Sequence, residues 1–234
     1  MAKSAEPRYS LPKSTIRSLP VPSPDTPQIY LVTPPEIELS TFPARLDDVL
    51  DAHEIACVRL ALATRDEDTI ARAADALREV CHAADVALVI ESHVGLVERL
   101  GLDGVHLTDG ARSVRKTRTA LGGDAIIGAF CGASRHDGMT AGEAGADYIS
   151  FGPVTAGALG DGTVADEELF SWWSEMIEIP VVAEGGLDAA AIARLSGLTD
   201  FFAIGEEIWR SEDAASALAT LKAAMKPARA EAAT

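Results

Sequence analysis

Groups able to do chemistry recur at a regular place in this chain, at or just after short β-branched runs. Arg59 lies within one run, Glu91-Ser92-His93 closes another, and His106 to Asp109 ends a third. Cys131 to His136, Gly152-Pro153, Glu184-Gly185-Gly186 and Gly205-Glu206-Glu207 fall the same way. Glu91, Asp109 and Glu206 are hard oxygen donors of the kind Mg²⁺ takes. They come from different runs, so their convergence on a metal stays an open reading. Glu184 and His136 are groups that could move a proton. Gly185-Gly186 precedes Asp188, where a helix should begin, and backbone N–H groups there suit a phosphate. A plain tight turn is the other reading of that pair.

Structural roles compete for the same residues. Glu184 and Glu206 either face a pocket or are solvated or paired with a Lys or Arg. Arg59 either serves a ligand or pairs with Glu91 across neighbouring strands. His106 reads as a packed histidine rather than a ligand. Cys131 reads as an inert thiol, because no base at convincing spacing activates it. At least one of Trp172 and Trp173 should cover the core under its helix.

The elements that position these groups follow from hydrophobic pattern. Strands are expected at Ile29–Thr33, Cys57–Leu62, Ala87–Glu91, Gly104–Leu107, Ile126–Phe130, Tyr148–Phe151, Val181–Ala183 and Phe201–Ile204. Amphipathic segments alternate with them, among them Glu67–Ala83, Asp188–Leu195 and Asp213–Lys226. In Glu67–Ala83 the residues Ile70, Ala73, Ala74 and Leu77 share one helical face. Eight strands alternating with helices predict a (β/α)8 TIM barrel, an α/β fold with a parallel closed sheet. An open doubly wound sheet would normally carry GxGxxG after its first strand, and Pro34-Pro35 stands there instead. In a barrel the chemistry sits at the C-terminal strand ends, where these residues fall.

Of 234 residues, 47% are hydrophobic and 24% charged, as in a folded globular protein. No apolar run approaches the roughly 20 residues of a membrane span. Net charge is 20 − 36 = −16, which repels nucleic acid and anionic membranes. Cys57, Cys81 and Cys131 show no metal or disulfide spacing, so a reducing, cytoplasmic setting is expected. Nine of the twelve prolines lie in the first 43 residues. Residues 1–27 are therefore expected to form a disordered arm, with a transit peptide as the alternative. Residues 28–226 form the single barrel domain and 227–234 a flexible tail.

Several stretches occur together and in order: Ile29-Tyr30-Leu31-Val32-Thr33, Gly104-Val105-His106-Leu107, Ile127-Gly128, Ala144 to Ile149, Gly152-Pro153-Val154, and Pro180 to Leu187. As a set, over about residues 28–210, they resemble the thiamine phosphate synthase family. The resemblance implies a (β/α)8 barrel that joins hydroxymethylpyrimidine diphosphate to a thiazole phosphate, releasing pyrophosphate and using Mg²⁺. A related branch holds a thiazole tautomerase. It implies metal positions near Glu91 and Asp109, a diphosphate contact at Arg59, and Cys131 and His136 after strand 5. It also implies a phosphate seat at Gly185, Gly186, Gly205 and Glu206.

The family's strand 2 alternation Gln-x-Arg-x-Lys is replaced here by Arg59, Ala61 and Ala63. Its Thr-x-Thr-Lys run after strand 6 is replaced by Gly157-Ala158-Leu159-Gly160. A leaving diphosphate must be met by cations or aimed donors. The acidic rim expected here would reject it unless metal neutralises the charge. Three functions follow: a synthase with altered machinery, a non-catalytic binder of a phosphorylated thiazole or thiamine-like molecule, or a tautomerase using His136 or Glu184. The sequence favours lost or altered bond formation. It says nothing about oligomeric state.

Overall fold

A computed structural model describes residues 26–225. The arm expected over 1–27 and the tail over 227–234 lie outside the described residues, apart from Thr26 and Pro27. Strands and helices alternate: β1 (Gln28–Val32), α1 (Phe42–Ala52), β2 (Cys57–Leu60), α2 (Glu67–Ala83), β3 (Ala87–Glu91), α3 (Val94–Leu100), β4 (Gly104–Leu107) and α4 (Val114–Leu121). The series continues with β5 (Ile126–Phe130), α5 (Arg135–Glu143), β6 (Tyr148–Phe151), α6 (Glu167–Met176), β7 (Val181–Glu184) and α7 (Ala189–Leu195). It closes with β8 (Phe201–Ile204), α8 (Glu206–Trp209) and α9 (Ala214–Lys222). All neighbouring strands are parallel, and β8 pairs with β1, so the eight strands close a barrel. This is the expected (β/α)8 fold.

Alternation along each strand divides the core in two. Ile29, Leu31, Val58, Leu60, Leu88, Ile90, Ile127 and Ile149 belong to the large cluster shared with the helices. On α2, Ile70, Ala73, Ala74 and Leu77 are buried as the spacing predicted, and Asp66 caps the helix by accepting from Thr69 N. Tyr30, Cys57, Ala87, Val89, Ile126, Tyr148, Val182, Phe201 and Ala203 form the smaller cluster inside the barrel.

Element ends differ from expectation for local reasons. β2 stops at Leu60 rather than Leu62 because the Ala61 N–H turns to Thr33 Oγ1 at 3.0 Å instead of continuing the ladder. Asp188 and Asp213 lie outside their helices as caps, accepting from Ala191 N and Ser216 N. An N-cap residue must leave helical φ/ψ to do this. β7 reaches one residue further than expected and takes in Glu184.

Three aspartates close the amino end of the barrel. Asp103, directly before β4, accepts from Leu88 N of β3 at 2.8 Å. Asp147, directly before β6, accepts from Ile127 N of β5 at 2.7 Å. Asp200, directly before β8, accepts from Val181 N of β7 at 2.8 Å. Each carboxylate satisfies a buried strand donor that would otherwise lack a partner.

Candidate active site

The carboxyl ends of the strands carry two distinct polar regions. The first is inside the barrel. Arg59 points inward from β2, and its Nη1 lies 2.9 Å from Glu184 Oε2. Its Nε lies 3.8 Å from Glu91 Oε2, and its guanidinium packs over the Tyr30 ring. Arg59 and Glu184 are thus paired with each other, and the strand 2 cation lies closer to the strand 7 carboxylate than to Glu91, the partner expected for it. Burial works against the Arg59 charge, but Glu184, with Tyr30 and Glu91 behind it, raises its pKa further. Burial also raises the Glu91 pKa, Arg59 lowers it, and Glu184 adds repulsion.

Next to this triad runs a chain of buried hydroxyls and imidazole. Tyr30 and Tyr148 share a hydrogen bond of 2.7 Å between their hydroxyls. His106 Nδ1 lies 2.9 Å from the Tyr148 hydroxyl. Gly128, between His106 and Tyr148 in the strand order, makes this possible. A Cβ at Gly128 would collide with the Tyr148 ring. Burial, and then the nearby Arg59 charge, pushes His106 well below its ordinary pKa. His106 is thus a neutral, buried member of a network, as its structural reading proposed. Among the described residues, His106 Nε2, Ser150 Oγ, Glu184 Oε2 and Arg59 Nε are buried without a hydrogen-bond partner. Unpaired buried polar atoms are costly and call for an explanation.

The second region is an open pocket of about 600 Å³ over the ends of β4, β5 and β6. Asp109 and Arg112 come from the loop after β4, Cys131 and Asp137 from after β5, and Asp161 from after β6. Phe130, in register with Ser150, joins the wall. Asp109 Oδ2 accepts from Ser113 Oγ at 2.6 Å. Cys131 is buried, and burial with the Asp137 charge pushes its thiol up to about 12. It is a protonated thiol at neutral pH, not a thiolate nucleophile. His136 stands on an exposed part of α5, and its carbonyl accepts from Thr140 Oγ1. It is not among the residues lining the pocket.

Glu91 and Asp109, the expected metal pair, point to different partners, Arg59 and Ser113. Among the described residues no group of three or more His, Cys, Asp or Glu comes together as a metal cage. Mg²⁺ commonly uses one or two carboxylates and takes its other ligands from water and substrate phosphates. Asp109, a hard donor on the wall of an acidic pocket, fits that role. Glu91, committed to Arg59, does not.

At the ends of β7 and β8, Gly185 and Gly186 both adopt left-handed backbone, with φ of 81° and 74°. A Cβ on Gly186 would collide with Thr155 Oγ1, which donates to the Gly186 carbonyl at 3.0 Å. Gly205 is buried against Val32. Glu206 is exposed and pairs with Arg210. Its neighbour Glu207, also exposed, bonds the loop backbone instead. Glu207 Oε2 accepts from Gly205 N at 2.8 Å, and its Oε1 accepts from Leu187 N at 3.3 Å.

Sequence reasoning passed over Arg112, Asp137 and Asp161 as site residues, and of the two acids after Gly205 it assigned Glu206 to the seat where Glu207 makes the backbone contacts. Arg112 lies three residues beyond Asp109, and two consecutive acids follow Gly205. Those were the available signals. No helix among the described residues is long and apolar enough to cross a membrane.

Known proteins are similar to this chain. The family described as thiamine monophosphate synthase matches residues 29–206. The thiamine-phosphate synthase of Rhodospirillum centenum is 40% identical over 185 residues, covering 78% of this chain and 89% of that one. That of Erythrobacter litoralis is 37% identical over 195 residues, covering 81% and 91%. Among solved structures, thiamine phosphate pyrophosphorylase from Pyrococcus furiosus superposes with a TM-score of 0.73 at 21% identity, covering 85% of this chain and 95% of that chain. That likeness speaks to the fold. The sequence matches span the barrel from its first strand to its last, and by them the chain belongs to the thiamine monophosphate synthase family.

Proposed function

We propose that this protein is an active thiamine-phosphate synthase with a rearranged site. In this reading it joins a pyrimidine diphosphate to a thiazole phosphate. The thiazole nitrogen bonds to the pyrimidine methylene carbon, and the bond from that carbon to the diphosphate oxygen breaks, releasing pyrophosphate. The observation that carries the reading is the pocket over β4, β5 and β6, where Asp109 and Arg112 face one space. About 600 Å³ is within the ordinary range for a small-molecule site.

Charge on the departing diphosphate is the main demand on the site. Arg112 is the cation that meets it. Arg59 cannot do so freely, because two carboxylates already hold it. Asp109 would hold Mg²⁺, which when bound neutralises charge on the leaving group. Asp137 and Asp161 make the pocket acidic, so free diphosphate is repelled and its metal complex is favoured. His106 Nε2 and Ser150 Oγ offer buried polar atoms without a hydrogen-bond partner inside the barrel for a nitrogen-rich ring. The thiazole phosphate sits with its phosphate towards Gly185, Gly186 and Gly205.

The test is a pyrophosphate-release assay with both substrates, with and without Mg²⁺. Turnover by the wild type is expected. Arg112→Ala should lower kcat/KM by about 100-fold, and Asp109→Asn by a similar factor. Absence of turnover under all conditions sinks the proposal.

A further inference from the structure

At the junction of the β7 and β8 loops, two backbone N–H groups from different segments converge on one point. Gly205 N and Leu187 N both donate to the Glu207 carboxylate, one to each oxygen. The loops after strands 7 and 8 of a (β/α)8 barrel, with a short extra helix behind them, are a recurrent phosphate seat. Here α8, of only four residues, follows β8. The anion in that seat belongs to the protein itself.

We propose that Glu207 is an intramolecular competitor for the ligand's phosphate and so sets selectivity at the β7–β8 rim. The inference rests on the synthase reading above. Gly205 N and Leu187 N each have one hydrogen to give. A phosphate that uses them must first displace the carboxylate. Two anions sharing the same small space repel. Glu207 is exposed, so its carboxylate can swing to solvent without being stranded. The opposing effect is electrostatic and local, and it acts on the phosphate rather than on the thiazole ring. Glu206, the adjacent acid, cannot substitute for it because its carboxylate faces Arg210.

Titration calorimetry of the full chain tests this, with the thiazole phosphate and the unphosphorylated thiazole alcohol as separate probes. Wild type is compared with Glu207→Ala, Glu207→Gln and Glu212→Ala. Glu212 is an exposed acid whose removal changes the net charge equally. Glu207→Ala should tighten the thiazole phosphate by about tenfold, the factor expected for removing one charge-assisted competitor. Glu207→Gln should tighten it less. Binding of the alcohol should stay within about twofold in every variant, and Glu212→Ala should move neither probe. If the wild type binds the phosphate and Glu207→Ala binds it equally or more weakly, the competitor role is wrong while the synthase reading stands. If Glu212→Ala tightens the phosphate as much as Glu207→Ala, the effect is general charge and the role is again wrong. If no variant binds the thiazole phosphate, both the role and the phosphate seat fall together.

Discussion

Arg59 Nη1 lies 2.9 Å from Glu184 Oε2 inside the barrel, and both side chains are almost wholly covered. The contact is an ion pair with poor hydrogen-bond geometry, since Glu184 Oε2 and Arg59 Nε keep no hydrogen-bond partner among the described residues. Removing one member strands the other charge. Arg59→Leu or Glu184→Leu alone should destabilise by about 3–5 kcal/mol. The double variant Arg59→Leu/Glu184→Leu should cost clearly less than either single change. Urea unfolding of the three variants checks this, and simple additivity would refute the coupling.

Gly128 makes room for the Tyr148 ring to reach His106. Gly128→Ala should destabilise by roughly 1–3 kcal/mol, because the ring must shift against packed neighbours. Tyr148→Phe in the Gly128→Ala background should then cost less than in the wild type, since its hydrogen bonds are already disturbed. Thermal unfolding of the set decides.

His106 sets a pH dependence whose sign is fixed by burial. Its folded pKa lies well below the ordinary value. The unfolded chain takes up this proton near about pH 6.5, while the native chain does not. Stability from this residue is therefore present above that pH and lost as pH falls below it. Glu91, whose pKa is raised, acts in the opposite sense at lower pH. Between about pH 6.5 and 5, His106→Gln should flatten the fall in unfolding free energy by one proton's worth of slope. An unchanged slope would contradict a neutral native His106.

Cys131 offers a test of local electrostatics. With its thiol pushed up to about 12 by burial and by Asp137, alkylation should be slow at neutral pH. The rate should climb roughly tenfold per pH unit up to about pH 10, because the thiolate is the nucleophile. Asp137→Asn should speed labelling at fixed pH. Mass spectrometry after iodoacetamide treatment gives the rates, and a pH-independent rate would count against the assignment. Cys131→Ser should keep substantial turnover.

Much of this architecture is legible in the chain because a closed parallel barrel buries its strands on both faces. That burial demands short apolar runs, and those runs stand out at 87–91, 126–130 and 201–204. The site was harder to read. Arg59 lies in an apolar run, which signals burial, but its partner could be Glu91 or Glu184 until closure brings strands 2 and 7 across the barrel. Glu184 was placed beyond its strand because a charge at a strand end resembles a loop residue. Glu206 and Glu207 differ only in which way a four-residue helix turns them, and no periodicity resolves that. His136 and Cys131 are near in sequence, yet α5 carries the histidine onto an exposed surface while the thiol stays inside. The aspartates at 103, 147 and 200 each stand directly before an apolar run, a signal that gains meaning only when the preceding strand is alongside.

Those aspartates also divide the barrel unevenly. Strands 3 and 4, 5 and 6, and 7 and 8 are each stapled at the amino end by a carboxylate, whereas the equivalent position before β2 is Ala56. There the join to β1 rests on the main-chain bond from Ala56 N to Ile29 O. The circle is thus three reinforced two-strand staves and one plain one, and the plain stave is where amide exchange should first reveal the wall coming apart.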